Sequence, residues 1–194
     1  AVLTAADVPG ENLHGLVYRD WPVLCGEGEK VRYMGDAVAI VAADTQEIAE
    51  RALSLIEVEY EPLTVVDSPV FAHSPDAPII HEGREGGNLL KHIKVRHGDI
   101  EQGFAESDVI VEHTYRTPTT EHAFLEPECA IGVPAGYDAD HRKLTIYVGS
   151  QIPYQDRNQI ALAMNLPEDD IRVRGVLIGG GFGGKEDIAG QIHV

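Results

Sequence analysis

The chain has 194 residues, 43 % of them hydrophobic, enough for one large domain or two small ones around an apolar core. Its 15 basic residues against 32 acidic ones give a net charge of −17, which argues against nucleic acid and against an anionic membrane surface, since both need a basic face. No apolar stretch approaches a membrane span, the N-terminus lacks the basic start and apolar core of a signal peptide, and Cys25 and Cys129 form no C-x-x-C or zinc pattern.

These features lead to the expectation of a cytoplasmic location with two reduced thiols. Ala1 in place of a methionine points to a processed or excised piece. Along the chain, Ala37 to Ala42 is a nearly continuous apolar run suited to a buried strand. Asp44 with Glu47 three residues on predicts a capping box, followed by a helix with Ile48, Ala52, Leu55 and Ile56 on one face. Ile56, Val58 and Tyr60 alternate with Glu57, Glu59 and Glu61, the period of a half-buried strand that Pro62 ends. Residues 68–97 read as a linker, with Pro69, Pro75, Pro78 and Gly86-Gly87 and little periodicity. Asp99 caps a short helix from Ile100 to Ala105. Strands are expected over Val109 to Tyr115 and Thr119 to Val133, then a turn at Tyr137 to Arg142 and a return strand carrying Leu144, Ile146 and Val148. Arg157 to Met164 reads as a helix ended near Asn165 and Pro167, and Ile171 to Leu177 as a strand. The fold class is α+β.

The most informative stretch follows that last strand. Gly179-Gly180-Gly181-Phe182-Gly183-Gly184-Lys185-Glu186 has five glycines in eight residues. Glycine lets backbone adopt positive φ and approach a ligand closely. A row of bare N–H groups makes a concave anion site, which a helix starting at Lys185 would reinforce. Three readings stay open on these residues alone. The pattern matches a P-loop up to its last place, where Glu186 stands instead of a magnesium-binding hydroxyl. It also matches a dinucleotide fingerprint, though at the end of the chain rather than in a first βαβ unit. The third reading is a structural turn. Glu126 and Glu128 around Pro127 invite a paired-carboxylate reading, but nothing supplies a sugar platform. His122 reads as a structural histidine rather than a proton carrier.

A wider set of residues narrows the choice. Thr120-Glu121-His122-Ala123-Phe124-Leu125-Glu126-Pro127-Glu128-Cys129-Ala130, Gly149-Ser150-Gln151-Ile152-Pro153 and Gly179 to Lys185 follow one another along the chain. Together they resemble the large subunit of molybdenum hydroxylases, the xanthine dehydrogenase and aldehyde oxidoreductase family. Val31-Arg32-Tyr33-Met34-Gly35-Asp36 and Ile56 to Leu63 carry a likeness to that family's a/b hammerhead domain. The resemblance implies a partial hammerhead over residues 1–67, the linker 68–97, and the first part of a mixed α/β molybdopterin-binding domain over 98–194.

It also implies a cofactor: molybdopterin, or its cytosine dinucleotide form, carrying molybdenum with oxo and sulfido ligands. Oxygen derived from water is added there to an electron-poor carbon. Gly180, Gly181, Phe182 and Gly183 are implied to line the cofactor, with the Gly183 N–H aimed at an oxo ligand and Phe182 close to the metal. Gln151 corresponds to a glutamine near the molybdenum, its amide a hydrogen-bond donor to an oxo or sulfido ligand. Glu186 is the substrate-contacting candidate, its carboxyl holding a ring nitrogen of a purine such as xanthine or hypoxanthine. Lys185 is expected to be a solvated or structural charge.

The family's catalytic glutamate, its further pterin-binding segments and its iron–sulfur modules have no counterpart in these residues, and two cysteines cannot hold a cluster. Iron–sulfur clusters and FAD are therefore expected on other domains or subunits, in an enzyme that is an oligomer. The chain alone is expected neither to retain molybdenum nor to turn over substrate. An aldehyde-oxidising member of the family and a non-catalytic scaffold module are the alternatives.

Overall fold

The structure, a computed structural model, describes residues 1–137, 142–188 and 190–194. Its contacts divide the chain into two units, Ala1–Glu61 with His122–Val194, and Pro62–Glu121.

In the first unit, β1 (Val2–Leu3) and the hairpin of β2 (Leu13–His14) and β3 (Trp21–Pro22) lead to β4 (Ile40–Val41). β4 pairs antiparallel with β1, Leu3 opposite Ile40. The apolar run from Ala37 to Ala42 is thus only a two-residue strand, half-buried rather than buried. Its partner β1 is equally short, so the ladder has nowhere to extend. Val23, Leu24 and Ala163 form a small core beside it.

Helix α1 (Gln46–Leu53) starts one residue later than expected. Thr45, not Asp44, is the cap, its Oγ1 accepting from Ile48 N–H at 3.3 Å. Glu47 then falls on the second helical residue and no capping box forms. Leu55 and Ile56 lie beyond the helix. The expected strand Ile56 to Glu61 has no ladder among the described residues, and Val58 and Tyr60 are exposed. Alternation suits a strand with a neighbour; here no described residue supplies one.

The second unit contains α2 (Pro69–Ala72) and α3 (Ile100–Glu106). The stretch read as linker is tied by Asn88, whose Oδ1 accepts from Ile80 N–H at 2.9 Å and whose Nδ2 donates to Ala72 O and Pro78 O at 3.0 and 2.9 Å. Asp99 caps α3 as expected, accepting from Glu101 and Gln102 N–H. The strand expected from Val109 to Tyr115 does not form, and those side chains are exposed.

The rest of the first unit holds its main sheet. β5 (Ala130–Pro134) pairs antiparallel with β6 (Leu144–Val148), and after α4 (Pro153–Met164) the chain returns as β7 (Ile171–Gly175), parallel to β6 with Ile146 opposite Val173. A parallel pair needs such a crossover. Only the last residues of the expected strand Thr119 to Val133 are ladder, because β6 offers five partners. The expected turn at Tyr137 to Arg142 includes Asp138 to His141, which lie outside the described residues. Helix α4 begins four residues before Arg157, with Pro153 as its first residue, where a missing N–H costs nothing. Asn165 ends it in the left-handed region at φ 51°, while Leu166 N–H reaches back to Ala161 O at 3.0 Å. β7 stops at Gly175 because β6 runs out at Val148. Val176 N–H makes the last bond, to Val148 O, and Leu177 is exposed.

Ile146, Val148, Ile160, Ala161, Ile171 and Ile188 form the core between sheet and helix. Helices and small sheets together give the α+β class expected from the sequence. Ile171 is fully buried in that cluster. Urea unfolding of the chain should show Ile171→Ala costing about 2–5 kcal/mol, the range for deleting a buried isoleucine side chain.

Candidate functional site

The glycine loop leaves β7 and folds without regular structure. Gly180 and Gly183 take φ of 98° and 95°, values open to glycine at little cost. Phe182 also sits at positive φ, 53°, and is 76 % exposed. A bulky residue in that region is strained unless its surroundings hold it there. Two turn bonds close the loop internally: Gly184 N–H to Gly181 O at 2.7 Å and Glu186 N–H to Gly183 O at 3.3 Å. No helix starts at Lys185, so no helix dipole acts on Glu186. The Lys185 N–H is instead taken by a side chain, that of Gln151.

Gln151 follows β6 and reaches into the loop. Its Oε1 accepts from Gly183 N–H at 3.1 Å and from Lys185 N–H at 3.3 Å, and its own N–H donates to Lys185 O at 3.0 Å. Its Nε2 donates to Glu186 Oε1 at 3.5 Å, which brings the substrate candidate beside it. A Cβ on Gly181 would lie 2.3 Å from Gln151 Oε1, so this glycine makes room for the amide. A ligand approaching the Gly183 N–H competes with that same oxygen.

A second side chain grips the loop from the opposite side. Glu126 Oε2 accepts from Gly179 N–H at 2.6 Å and from Lys185 Nζ at 2.7 Å. The Glu126 N–H donates to Gly179 O at 3.2 Å. Lys185 is 2 % exposed, and its ammonium stands 4.6 Å from the centre of the Phe124 ring. Of the two expectations for Lys185, a solvated or a structural charge, the structure excludes the first: burial makes its charge dependent on Glu126 and the ring face. The ammonium of Lys185, then the Gly179 N–H, hold the Glu126 carboxyl below the usual carboxylate range. His122 packs against the loop, since a Cβ on Gly184 would meet its ring at 3.0 Å. Ala123, between His122 and Phe124, turns the chain there at φ 49°.

The N–H groups of Gly180, Gly181 and Phe182 have no protein partner among the described residues. Consecutive free backbone donors on a glycine-rich turn are groups that can meet an anion. Among the described residues no group of three or more His, Cys, Asp or Glu side chains converges. The donor set thus suits an anionic group met by backbone, the kind of contact a pterin phosphate or an oxo ligand makes. The sequence had named Gln151, Gly180, Gly181, Phe182, Gly183 and Glu186, and the structure brings these into one loop and its support. Phe124 and Glu126, within the family-like segment Thr120 to Ala130, had been given no part in the loop, since they stand more than fifty residues before it with no periodicity linking them.

Comparison with known proteins then gives the family. Residues 80–194 match the molybdopterin cofactor-binding domain, and residues 1–64 match the a/b hammerhead domain of aldehyde oxidase and xanthine dehydrogenase. The chain belongs to the molybdenum hydroxylase large-subunit family. It is 46 % identical to a probable xanthine dehydrogenase subunit of Bacillus subtilis, over 97 % of this chain and 24 % of that protein. It is 37 % identical to the nicotinate dehydrogenase large molybdopterin subunit of Eubacterium barkeri, over 100 % of this chain and 43 % of that protein. The aldehyde oxidoreductase structure of Desulfovibrio gigas superposes with a TM-score of 0.84 at 29 % identity, over 100 % of this chain and 22 % of that one. The chain therefore spans only 24 % and 43 % of the length of these two curated relatives. No helix among the described residues is long and apolar enough to cross a membrane.

Two outcomes follow from the loop geometry. In Gly181→Ala the new methyl displaces Gln151 Oε1, and amide exchange at Gly183 and Lys185 should rise while the β6–β7 ladder stays protected. The Glu126 contribution has a defined pH window. Its folded pKa is depressed, so its stabilisation is present above the unfolded value of about 4.3 and is lost as pH falls through the folded one. The difference in unfolding free energy between wild type and Glu126→Gln should be constant at neutral pH and shrink towards pH 3, about a unit below that unfolded value.

Proposed function

We propose that this chain supplies the first cofactor-binding region of a molybdenum hydroxylase that oxidises a purine. The observation that carries the reading is the run of free N–H groups from Gly180 to Phe182, with Gln151 bonded to the next residue, Gly183, and the exposed Glu186 four residues beyond Phe182. When bound, the molybdenum pterin supplies the two-electron oxidation of an electron-poor carbon with oxygen from water. The chain's own residues do the rest of what is proposed here. The N–H groups of Gly180, Gly181 and Phe182 receive the anionic part of the cofactor. The Gln151 amide orients towards its oxygen or sulfur ligands. Phe182, exposed and fixed at positive φ, covers the metal side and excludes water.

Glu186 is placed to hold a ring nitrogen of xanthine or hypoxanthine, oriented by Gln151 Nε2. A carboxyl there offsets charge that builds up on the heterocycle as it is oxidised. The names of the curated relatives, xanthine and nicotinate dehydrogenases, support a nitrogen heterocycle. A second reading, an aldehyde substrate, is favoured by the likeness to the aldehyde oxidoreductase of Desulfovibrio gigas.

The proposed architecture runs from a hammerhead part over residues 1–67 through a linker, 68–97, to the molybdopterin-binding part over 98–194. The cytosine dinucleotide form of the pterin, iron–sulfur clusters and FAD on other domains or subunits, an oligomeric enzyme and a cytoplasmic location complete the proposal. The 194 residues alone contribute the binding region and not the proton-transferring base.

The test uses the enzyme that carries this chain, made in cells that synthesise molybdopterin, with a dye as electron acceptor. Wild type should contain molybdenum and oxidise xanthine or hypoxanthine in preference to benzaldehyde. Glu186→Ala should lower kcat/KM for the purine by roughly a hundredfold, the scale of losing one preorganised polar contact, with molybdenum content unchanged. Equal loss with benzaldehyde would move the assignment to the aldehyde reading, and a molybdenum-free wild type would end it.

A further inference from the structure

Glu126 carries no part in the binding reading above, yet it touches both ends of the loop that forms the site. Its Oε2 accepts from Gly179 N–H at 2.6 Å, where the loop begins, and from Lys185 Nζ at 2.7 Å, where it ends. The residues between are four glycines and Phe182, a stretch with the largest backbone freedom a chain can have. Two internal turn bonds and Gln151 restrain it as well. We infer that Glu126 is the positioning residue of the glycine loop, one carboxylate oxygen tying its first and last residues and so fixing the spacing of the N–H groups that face the ligand. The inference rests on the reading that those groups receive molybdopterin.

The surroundings of the carboxylate support this. A Cβ on Gly179 would stand 2.5 Å from Glu126 Cβ, so the start of the loop rests directly on the side chain. A Cβ on Gly149 would lie 3.4 Å from both carboxylate oxygens, which places the segment leading to Gln151 against the same group. The oxygen is shared by two donors, one on a lysine that is 2 % exposed. It is therefore committed to holding the loop rather than to meeting a substrate. The pair is also asymmetric: the Glu126 side chain is 34 % exposed against 2 % for Lys185. Removing the carboxylate strands a buried ammonium; removing the ammonium leaves a carboxylate that water and Gly179 N–H still satisfy.

That asymmetry defines the experiment. Glu126→Gln, Lys185→Met and the double variant are made in the enzyme carrying this chain, in cells that synthesise molybdopterin. Molybdenum per chain, the thermal midpoint and the paramagnetic resonance spectrum of the partly reduced metal are measured. Glu126→Gln should lower molybdenum content roughly tenfold and alter the spectrum of the fraction that loads, because an uncompensated buried charge reshapes the loop. Lys185→Met breaks the tie without stranding a charge, so it should lower molybdenum content less, by about threefold, and still alter the spectrum; the double variant should match Lys185→Met in content, spectrum and midpoint, since the tie is already lost and no buried charge is left unpaired. Wild-type loading in Glu126→Gln, wild-type content and spectrum in Lys185→Met, or a double variant as poor as the two single losses combined, would overturn the inference. If wild type itself holds no molybdenum, the cofactor reading fails separately. The thermal midpoints then decide: recovery of the Glu126→Gln midpoint by Lys185→Met supports the tie, and no recovery overturns it.

Discussion

A buried ammonium held against one carboxylate oxygen is the constraint on which the site depends. The glycine loop has no ladder and little internal bonding, so its shape is imported from elsewhere. Glu126 and Lys185 set its width, Gln151 fills its inner side, and Phe124 lies under the lysine. Without a partner the Lys185 charge would have to leave its place, since burying an unpaired ammonium costs far more than this turn can offset. The sheet therefore carries a polar clamp next to it, and the clamp rather than the sheet defines the donors offered to a ligand.

The division of labour follows from chemistry. Glycines are needed where backbone N–H groups must meet a ligand directly, but they bring flexibility that blurs any geometry. Long side chains from two other segments remove that freedom without covering the donors. Phe182 is the exception within the loop: an L side chain with a left-handed backbone, facing outward. Its strain is tolerable because residues on both sides are glycines that absorb the turn.

Much of the main sheet was legible in the sequence, because β6 alternates and Asn165 with Pro167 marks a clear helix stop, although α4 itself has hardly any apolar stripe and its start was misplaced. The loop was legible too, since five glycines after an apolar run can neither extend the strand nor start a stable helix. Other elements were not. Ile56 to Glu61 and Val109 to Tyr115 have the alternation of strands, yet no described strand lies beside them, and alternation reports a face to be covered rather than a partner in place. Thr45 displaced Asp44 as helix cap because both are good caps and only the backbone angle chooses between them. Glu126 and Lys185 were invisible as a pair: tertiary contacts between residues 59 apart leave no trace in local spacing. Gln151 was named through family likeness, and its hold on Gly183 and Lys185 emerges only in the folded chain.

The parallel pairing of β6 and β7 has one more effect. Because α4 carries the chain back to its starting side, both strands run in the same direction and their carboxyl ends lie side by side, Val148 opposite Gly175. Neighbouring strands are separated by about 4.8 Å. The Gly149–Gln151 segment and the glycine loop thus set out from adjacent points on one rim, although more than twenty residues lie between them in the chain. Had the return been antiparallel, one of the two would have emerged at the far edge, and no side chain of glutamine length could have joined them.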